Sequence, residues 1–315
     1  MRYNGELREG ESVSETYFCK SKQVLKTKAG KTYYSLILQD KTGIVDAKIW
    51  DLSAGIDHFE SMEYIHIDAE VTRFQNALQI NIKRLRRSQE GEYDPSDFMP
   101  TTEKNIEEMY QTLLGYIEKM QNPYVKKLAE SFFKEDKDFV ARFKKHSAAK
   151  SVHHGFVGGL LEHTLGVVNL CNYLATQYPV NKDILIACAM FHDIGKLEEL
   201  SPFPENDYTD EGQLLGHIII GSQKVAAKIA AIPGFPKKLE GEIIHCILSH
   251  HGELEYGSPK KPATMEALAL SFADNTDAKL QTMKEALNAG EEKAEWVGYN
   301  RFFETNIRRT GNYER

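Results

Sequence analysis

Between residues 12 and 88 the apolar positions recur at every second residue, the spacing of half-buried strands. KTYYSLILQD (Lys31–Asp40) and GIVDAKIW (Gly43–Trp50) are rich in aromatic and β-branched side chains. DKTG between them is a turn signal, so the two predict a hairpin. YIHIDAEVTRF (Tyr64–Phe74) and LQINIKRLRR (Leu78–Arg87) predict a second pair, closed by QNA (Gln75–Ala77). Ile65, Ile67 and Ala69 fall on one side of the first strand. Ile80, Ile82 and Leu85 do so on its partner, with a slip of register near the end. An earlier strand around Tyr17–Lys26 brings the number to five. Asp51–Phe59 is expected to form a short helix between the third and fourth.

After Ser88 the pattern changes. SQEGEYDPSDFMP (Ser88–Pro100) is polar and turn-rich and predicts a linker. From Thr101 the apolar period lengthens to that of helices, over Glu103–Gln121, Leu160–Gln177, Lys182–Ile194, Leu215–Ile232, Leu239–Ser249 and Met265–Lys284, with no strand pattern between them. The expected fold class is therefore multi-domain. An all-β barrel spans 1–88, a linker 89–102, an all-α domain 103–284 and a tail 285–315. Five strands with an insertion after the third look like an OB-fold, a small barrel often used on single-stranded nucleic acid. The competing reading is a small barrel used for assembly.

Composition alters this picture little: 41% hydrophobic and 27% charged residues are ordinary for a globular chain. The four cysteines lack CxxC spacing, and three of them sit in apolar helical stretches, as expected of a reduced, cytoplasmic protein. The N-terminus lacks the apolar core of a secretion signal, and the longest apolar run, Ile184–Phe191, is too short to cross a bilayer, so no membrane partner is expected. The net charge of −7 excludes a generic nucleic-acid coat but is unevenly spread. Residues 1–88 carry 14 Lys and Arg against 12 Asp and Glu, and the remainder 25 against 34. An acidic body can still hold an anionic substrate if metal ions supply positive charge.

Nine of the 11 histidines lie between His146 and His251. His163 stands in GGLLEHT, His192 and Asp193 in FHDIGK, His217 in LGHIIIG, His250 and His251 in ILSHHGE, and Asp274 in LSFADNTD. A single histidine near a helix end is usually structural. A set that mixes imidazole and carboxylate suits borderline first-row divalent ions. His192 and Asp193 are expected in the last turn of a helix that Gly195 terminates, where Asp193 could turn across to bridge two ions.

This series, H…HD…H…HH…D, resembles the HD-domain metal-dependent phosphohydrolases over about Ser147–Leu280. With the barrel in front, the whole chain is similar to the YhaM family of 3′→5′ exoribonucleases. The resemblance implies hydrolysis of single-stranded RNA, and to some extent single-stranded DNA, from the 3′ end. It implies dependence on one or two divalent ions, Mn2+ first, with Co2+, Fe2+ and Zn2+ as alternatives. By motif, His163, His192, Asp193 and Asp274 would be the core metal set, with His217, His250 and His251 completing a two-ion site. Lys196 would contact substrate phosphate, though a helix-end cation is an equal reading. His153 and His154, in KSVHHGFVGG, could reach phosphate or move a proton, with capping and packing nearly equal readings, while His245 reads as structural.

Sequence-tolerant grip on the nucleic acid is expected from aromatic residues of the barrel, Tyr33, Tyr34, Trp50 and Phe74, some of which must instead fill its core. Lys83, Arg84 and Arg86, in KRLRR, are candidates for phosphate contact, with a solvated strand end an equal reading. The tail WVGYNRFFETNIRRTGNYER mixes aromatics and arginines, and docking on a neighbouring subunit of a homo-oligomer or on its own core is expected ahead of nucleic-acid contact. Two other functions stay open: an HD-type nucleotide or cyclic-dinucleotide phosphohydrolase, and a non-catalytic single-strand-binding protein with a structural metal.

Overall fold

The computed structural model of the chain describes residues 2–53, 55–74, 77–94, 97–150, 154–289 and 294–311. Two compact units emerge: residues 1–101 with 203–205, and residues 102–202 with 206–315.

In the first unit β1 (Ser12–Lys26), β2 (Thr32–Asp40), β3 (Gly43–Ile49), β4 (Glu63–Phe74) and β5 (Ala77–Arg87) close into a barrel in the order β1-β2-β3-β5-β4. Among the described strands β3 and β5 are the parallel pair. Alternation places Leu36, Leu38, Val45, Ala47, Ile49, Ile65, Ile67, Ile80, Ile82 and Leu85 in one core. The register slip expected in the last strand is a bulge: Asp68 faces Arg84, and the next residue, Ala69, faces Ile82. The connection from β3 to β4 differs from expectation, for no helix forms among its described residues. Ser53 turns back to donate its N–H to Asp51 Oδ1, Gly55 takes a positive φ, and Ile56 bridges to Leu85. Gln75 and Asn76 lie outside the described residues.

The stretch read as a linker carries three anchors that its polar composition conceals. Tyr93 stacks on Tyr64 at 4.0 Å, and Phe98 and Met99 are buried. The Gln39 side-chain amide donates to the Phe98 carbonyl at 3.0 Å. The barrel unit therefore runs on to Thr101.

The second unit is helical: α1 (Ile106–Glu118), α2 (Pro123–Phe133), α3 (Lys137–Phe143), α4 (Gly159–Gln177), α5 (Lys182–Phe191), α6 (Lys196–Glu199), α7 (Asp210–Ala230), α8 (Lys237–Ser249) and α9 (Met265–Ala289). Side chains at their N-caps explain several starts. Asn105, Asn122, Asp136, Asn181 and Thr209 each accept a backbone N–H from the first turn. The longest apolar run is now explained: α5 is buried on every side from Ile184 to Phe191, and Phe191 packs on Phe132 and Phe133. The tail, for which no element was expected, carries two strands. β6 (Trp296–Asn300) and β7 (Thr305–Arg308) form an antiparallel hairpin that packs on α9. Among the described residues no helix is long and apolar enough to cross a membrane.

Candidate metal centre

Because α5 is buried from Ile184 to Phe191, its C-terminal end delivers His192 and Asp193 into the interior. His192 caps the helix, a turn follows, and α6 begins at Lys196. Gly195 is not the left-handed terminator that its position suggested, since its φ is −66°. Its lack of a side chain serves close packing instead. A Cβ there would lie 2.1 Å from the His217 carbonyl oxygen and 2.7 Å from the Gly221 nitrogen. Gly216, at φ 72°, breaks α7 just before His217. The His217 N–H is thereby free of the helix and donates to Glu199 Oε1 at 3.0 Å.

Five imidazoles share one pattern. Nδ1 of His163 lies 2.8 Å from Asp277 Oδ2, and Nδ1 of His217 lies 2.8 Å from Glu199 Oε1. Nδ1 of His192, His250 and His251 lies 2.8, 2.7 and 2.8 Å from the carbonyls of Ala189, Ile247 and Tyr256. Carbonyl and carboxylate oxygens only accept, so each Nδ1 carries a proton and each Nε2, on the far side of its ring, is the atom left to ligate.

Those of His163, His192, His217 and His250 converge on Asp193. His163 and His192 bring theirs within 3.2 Å of each other, an arrangement repulsive to two lone pairs unless a cation or proton lies between. Asp274 Oδ1 is 3.2 Å and Asp193 Oδ2 is 3.3 Å from His163 Nε2. The other oxygen of Asp193 faces a second group, 3.5 Å from His217 Nε2 and 3.7 Å from His250 Nε2. Ligand atoms of His163, His192 and Asp274 all lie within 4.8 Å of one another, as do those of His217, His250 and His251. Asp193 stands between the two triads.

The electrostatics of the two triads differ. Burial alone would push the His163 imidazole down, but Asp193, Asp274 and Asp277 together hold it well above its ordinary value. Burial pushes His250 well below its ordinary value, and His251 down, aided by neighbouring imidazoles. Burial works against ionised Asp193, yet Lys196 and His192 keep its carboxyl well below the carboxylate range. The Lys196 ammonium sits 2.7 Å from Asp193 Oδ2.

The family model described as HD domain matches residues 160–279, which contain every one of these groups. The chain is 36% identical to "3'-5' exoribonuclease YhaM" of Geobacillus sp. (strain WCH70), over 82% of this chain and 79% of that protein. It is 33% identical to "3'-5' exoribonuclease YhaM" of Bacillus velezensis (strain DSM 23117 / BGSC 10A6 / LMG 26770 / FZB42), over 88% of each. The chain belongs to the YhaM family of 3′–5′ exoribonucleases. Among solved structures, the second OB-fold domain of replication protein A from Methanococcus maripaludis is similar over 28% of this chain and 94% of that one, at 18% identity and a TM-score of 0.23.

An HD domain implies a divalent ion, and the residues of this YhaM-family chain fit one. Asp193 Oδ1, His217 Nε2 and His250 Nε2 are buried without a hydrogen-bond partner. Such atoms are costly unless something else satisfies them. All seven residues expected to ligate metal are thus gathered in one place.

His154 is not with them. It lies behind His163, its Nε2 3.1 Å from Asp277 Oδ2, where it can steady that carboxylate but does not border the cavity. His153 lies outside the described residues. His245 is structural: its Nε2 accepts the Ala263 N–H at 2.9 Å. Two acids escaped the sequence reading. Asp277 is three residues after Asp274 on α9, so the pair clamps both nitrogens of His163 from one helix face. Glu199 is hidden in the ordinary-looking acidic run KLEEL.

In the barrel Tyr33 stacks on Trp50 at 4.5 Å, and the half-exposed indole donates to Asn81 Oδ1 at 3.1 Å. Phe74 is exposed, whereas Tyr34 packs against the core. Lys83 pairs with Glu70 and Arg86 with Glu92, while Arg84 is exposed with no ion pair among the described residues.

Proposed function

We propose that the paired triads are the hydrolytic centre of a metal-dependent 3′→5′ exoribonuclease and that the barrel holds its single-stranded substrate. The carrying observation is the convergence of four Nε2 atoms, those of His163, His192, His217 and His250, on the two oxygens of Asp193. His163, His192 and Asp274 would hold one ion, and His217, His250 and His251 a second, with Asp193 shared. The mixed nitrogen and oxygen donors suit Mn2+ and accommodate Co2+, Fe2+ or Zn2+. When bound, such ions neutralise the scissile phosphate and supply a nucleophile at neutral pH.

The chain's own groups do the rest. Asp277 and Glu199 fix the tautomers of His163 and His217. Lys196, a cation lining the cavity, turns from Asp193 to a non-bridging phosphate oxygen. Hydrolysis breaks the bond between phosphorus and the 3′-oxygen of the penultimate nucleotide, releasing a nucleoside 5′-monophosphate. On the barrel, Tyr33 and Trp50 offer stacked faces to bases, and Phe74, Lys83, Arg84 and Arg86 an edge for the backbone. Single-stranded DNA is the slower substrate, the site of action is cytoplasmic, and the working form is a homo-oligomer.

The test uses 5′-end-labelled RNA with Mn2+. A descending ladder with mononucleotide release is expected. Turnover of free nucleotides with intact RNA would instead point to a nucleotide phosphohydrolase, and retention without cleavage to a binding protein.

A further inference from the structure

Six of the seven candidate ligands, all but the fully buried His192, line a cavity of about 640 Å³, large enough for a nucleotide beside the ions. Three aromatic side chains reach the same cavity from three separate segments. Tyr208 precedes α7, Tyr256 ends the turn after α8, and Phe302 sits at the tip of the β6–β7 hairpin. They are 48%, 65% and 50% exposed, so none is spent on the core. Tyr208 has its phenol for water and Lys150 5.9 Å from its ring. Phe302 has no polar atom to justify its exposure.

Its ring is nonetheless held in place. Asn300 Oδ1 accepts the N–H groups of both Phe302 and Phe303, at 2.9 and 3.3 Å. Phe303 braces it edge-on at 5.0 Å. The Arg309 guanidinium donates to the Leu287 carbonyl, fastening the hairpin to α9. A fixed, half-bare aromatic face beside a phosphodiester-cleaving centre is what a base of any identity can stack upon.

We propose that Phe302 is the platform on which the 3′-terminal nucleobase stacks, so that the C-terminal hairpin forms part of the active site and positions the last nucleotide for cleavage. This rests on the assignment of the paired triads as the hydrolytic centre. Phe302 acts on the base and not on the reacting phosphate, so its contribution appears only with substrates that carry a terminal base.

The test compares two short RNAs differing only in whether the 3′-terminal ribose bears adenine or none. Wild-type protein with Mn2+ should favour the base-bearing RNA in kcat/KM by about 5- to 100-fold, the range of one stacking contact. Phe302→Ala should shrink that ratio towards one, and Phe302→Trp should keep it. A ratio unchanged in Phe302→Ala, or two substrates slowed alike, overturns the proposal. A second readout needs no turnover. RNA ending in 2-aminopurine, bound to the full chain in EDTA, should lose fluorescence on wild-type protein and keep it on Phe302→Ala. Equal quenching by both also overturns it. Absence of RNA cleavage by wild-type protein would refute the hydrolytic reading and leave this second readout to decide the role of Phe302.

Discussion

Trp50 in the barrel and His192 in the helical unit both stand where function is expected, but they are kept in opposite ways. Trp50 is half-exposed, and its one polar atom is satisfied by Asn81. His192 is fully buried, with Nε2 3.2 Å from another imidazole and 3.4 Å from Asp193 Oδ2. An exposed aromatic face costs little and can wait for any base. A buried lone pair among carboxylates is tolerable only if a cation completes it. The contrast separates grip from chemistry: substitutions in the helical pocket should stop turnover, and those on the barrel should loosen binding.

The largest effect should come from Asp193→Ala, which removes the group shared by both triads. Cleavage of labelled RNA should fall below detection while filter retention of RNA stays close to wild type. Loss of retention in a folded variant would end the separation. Metal linkage follows: Mn2+ at 100 times its dissociation constant should stabilise the wild type by about 2.7 kcal/mol, seen as a rise in Tm that Asp193→Ala lacks. Asp277→Asn keeps the shape but loosens the tautomer of His163, and should cost about 10- to 100-fold in metal affinity or rate. Trp50→Ala should weaken RNA binding by about 1–3 kcal/mol, read as a higher Kd and KM, with a much smaller change in kcat. The smallest effect should be that of Lys83→Ala. Its charge is already paired with Glu70, and the salt dependence of RNA binding should flatten by at most about one unit of slope.

Legibility in the sequence followed periodicity and chemistry. The five strands were readable because their inward residues alternate, and even the slip after Ile82 was visible. The metal-ligand candidates were readable because histidine is rare and nine fall in one stretch. Asp277 and Glu199 were not, because acids on helix surfaces are common and nothing local distinguishes one that turns inward. The packing of Tyr93, Phe98 and Met99 was masked by polar neighbours, and the β6–β7 hairpin by strands of only five and four residues. His154 shows that proximity in sequence to a ligand does not fix which side of it a ring will occupy: its Nε2 meets Asp277 away from the cavity lining.

The interval between the two halves of the pocket is governed at Gly195, where one backbone rests against another with room for a hydrogen atom and nothing larger. A single methyl group at that point would have to push the His217 backbone away from the turn that carries His192 and Asp193, and so widen the gap between the two triads. The smallest residue in the motif therefore acts as the gauge block of the site.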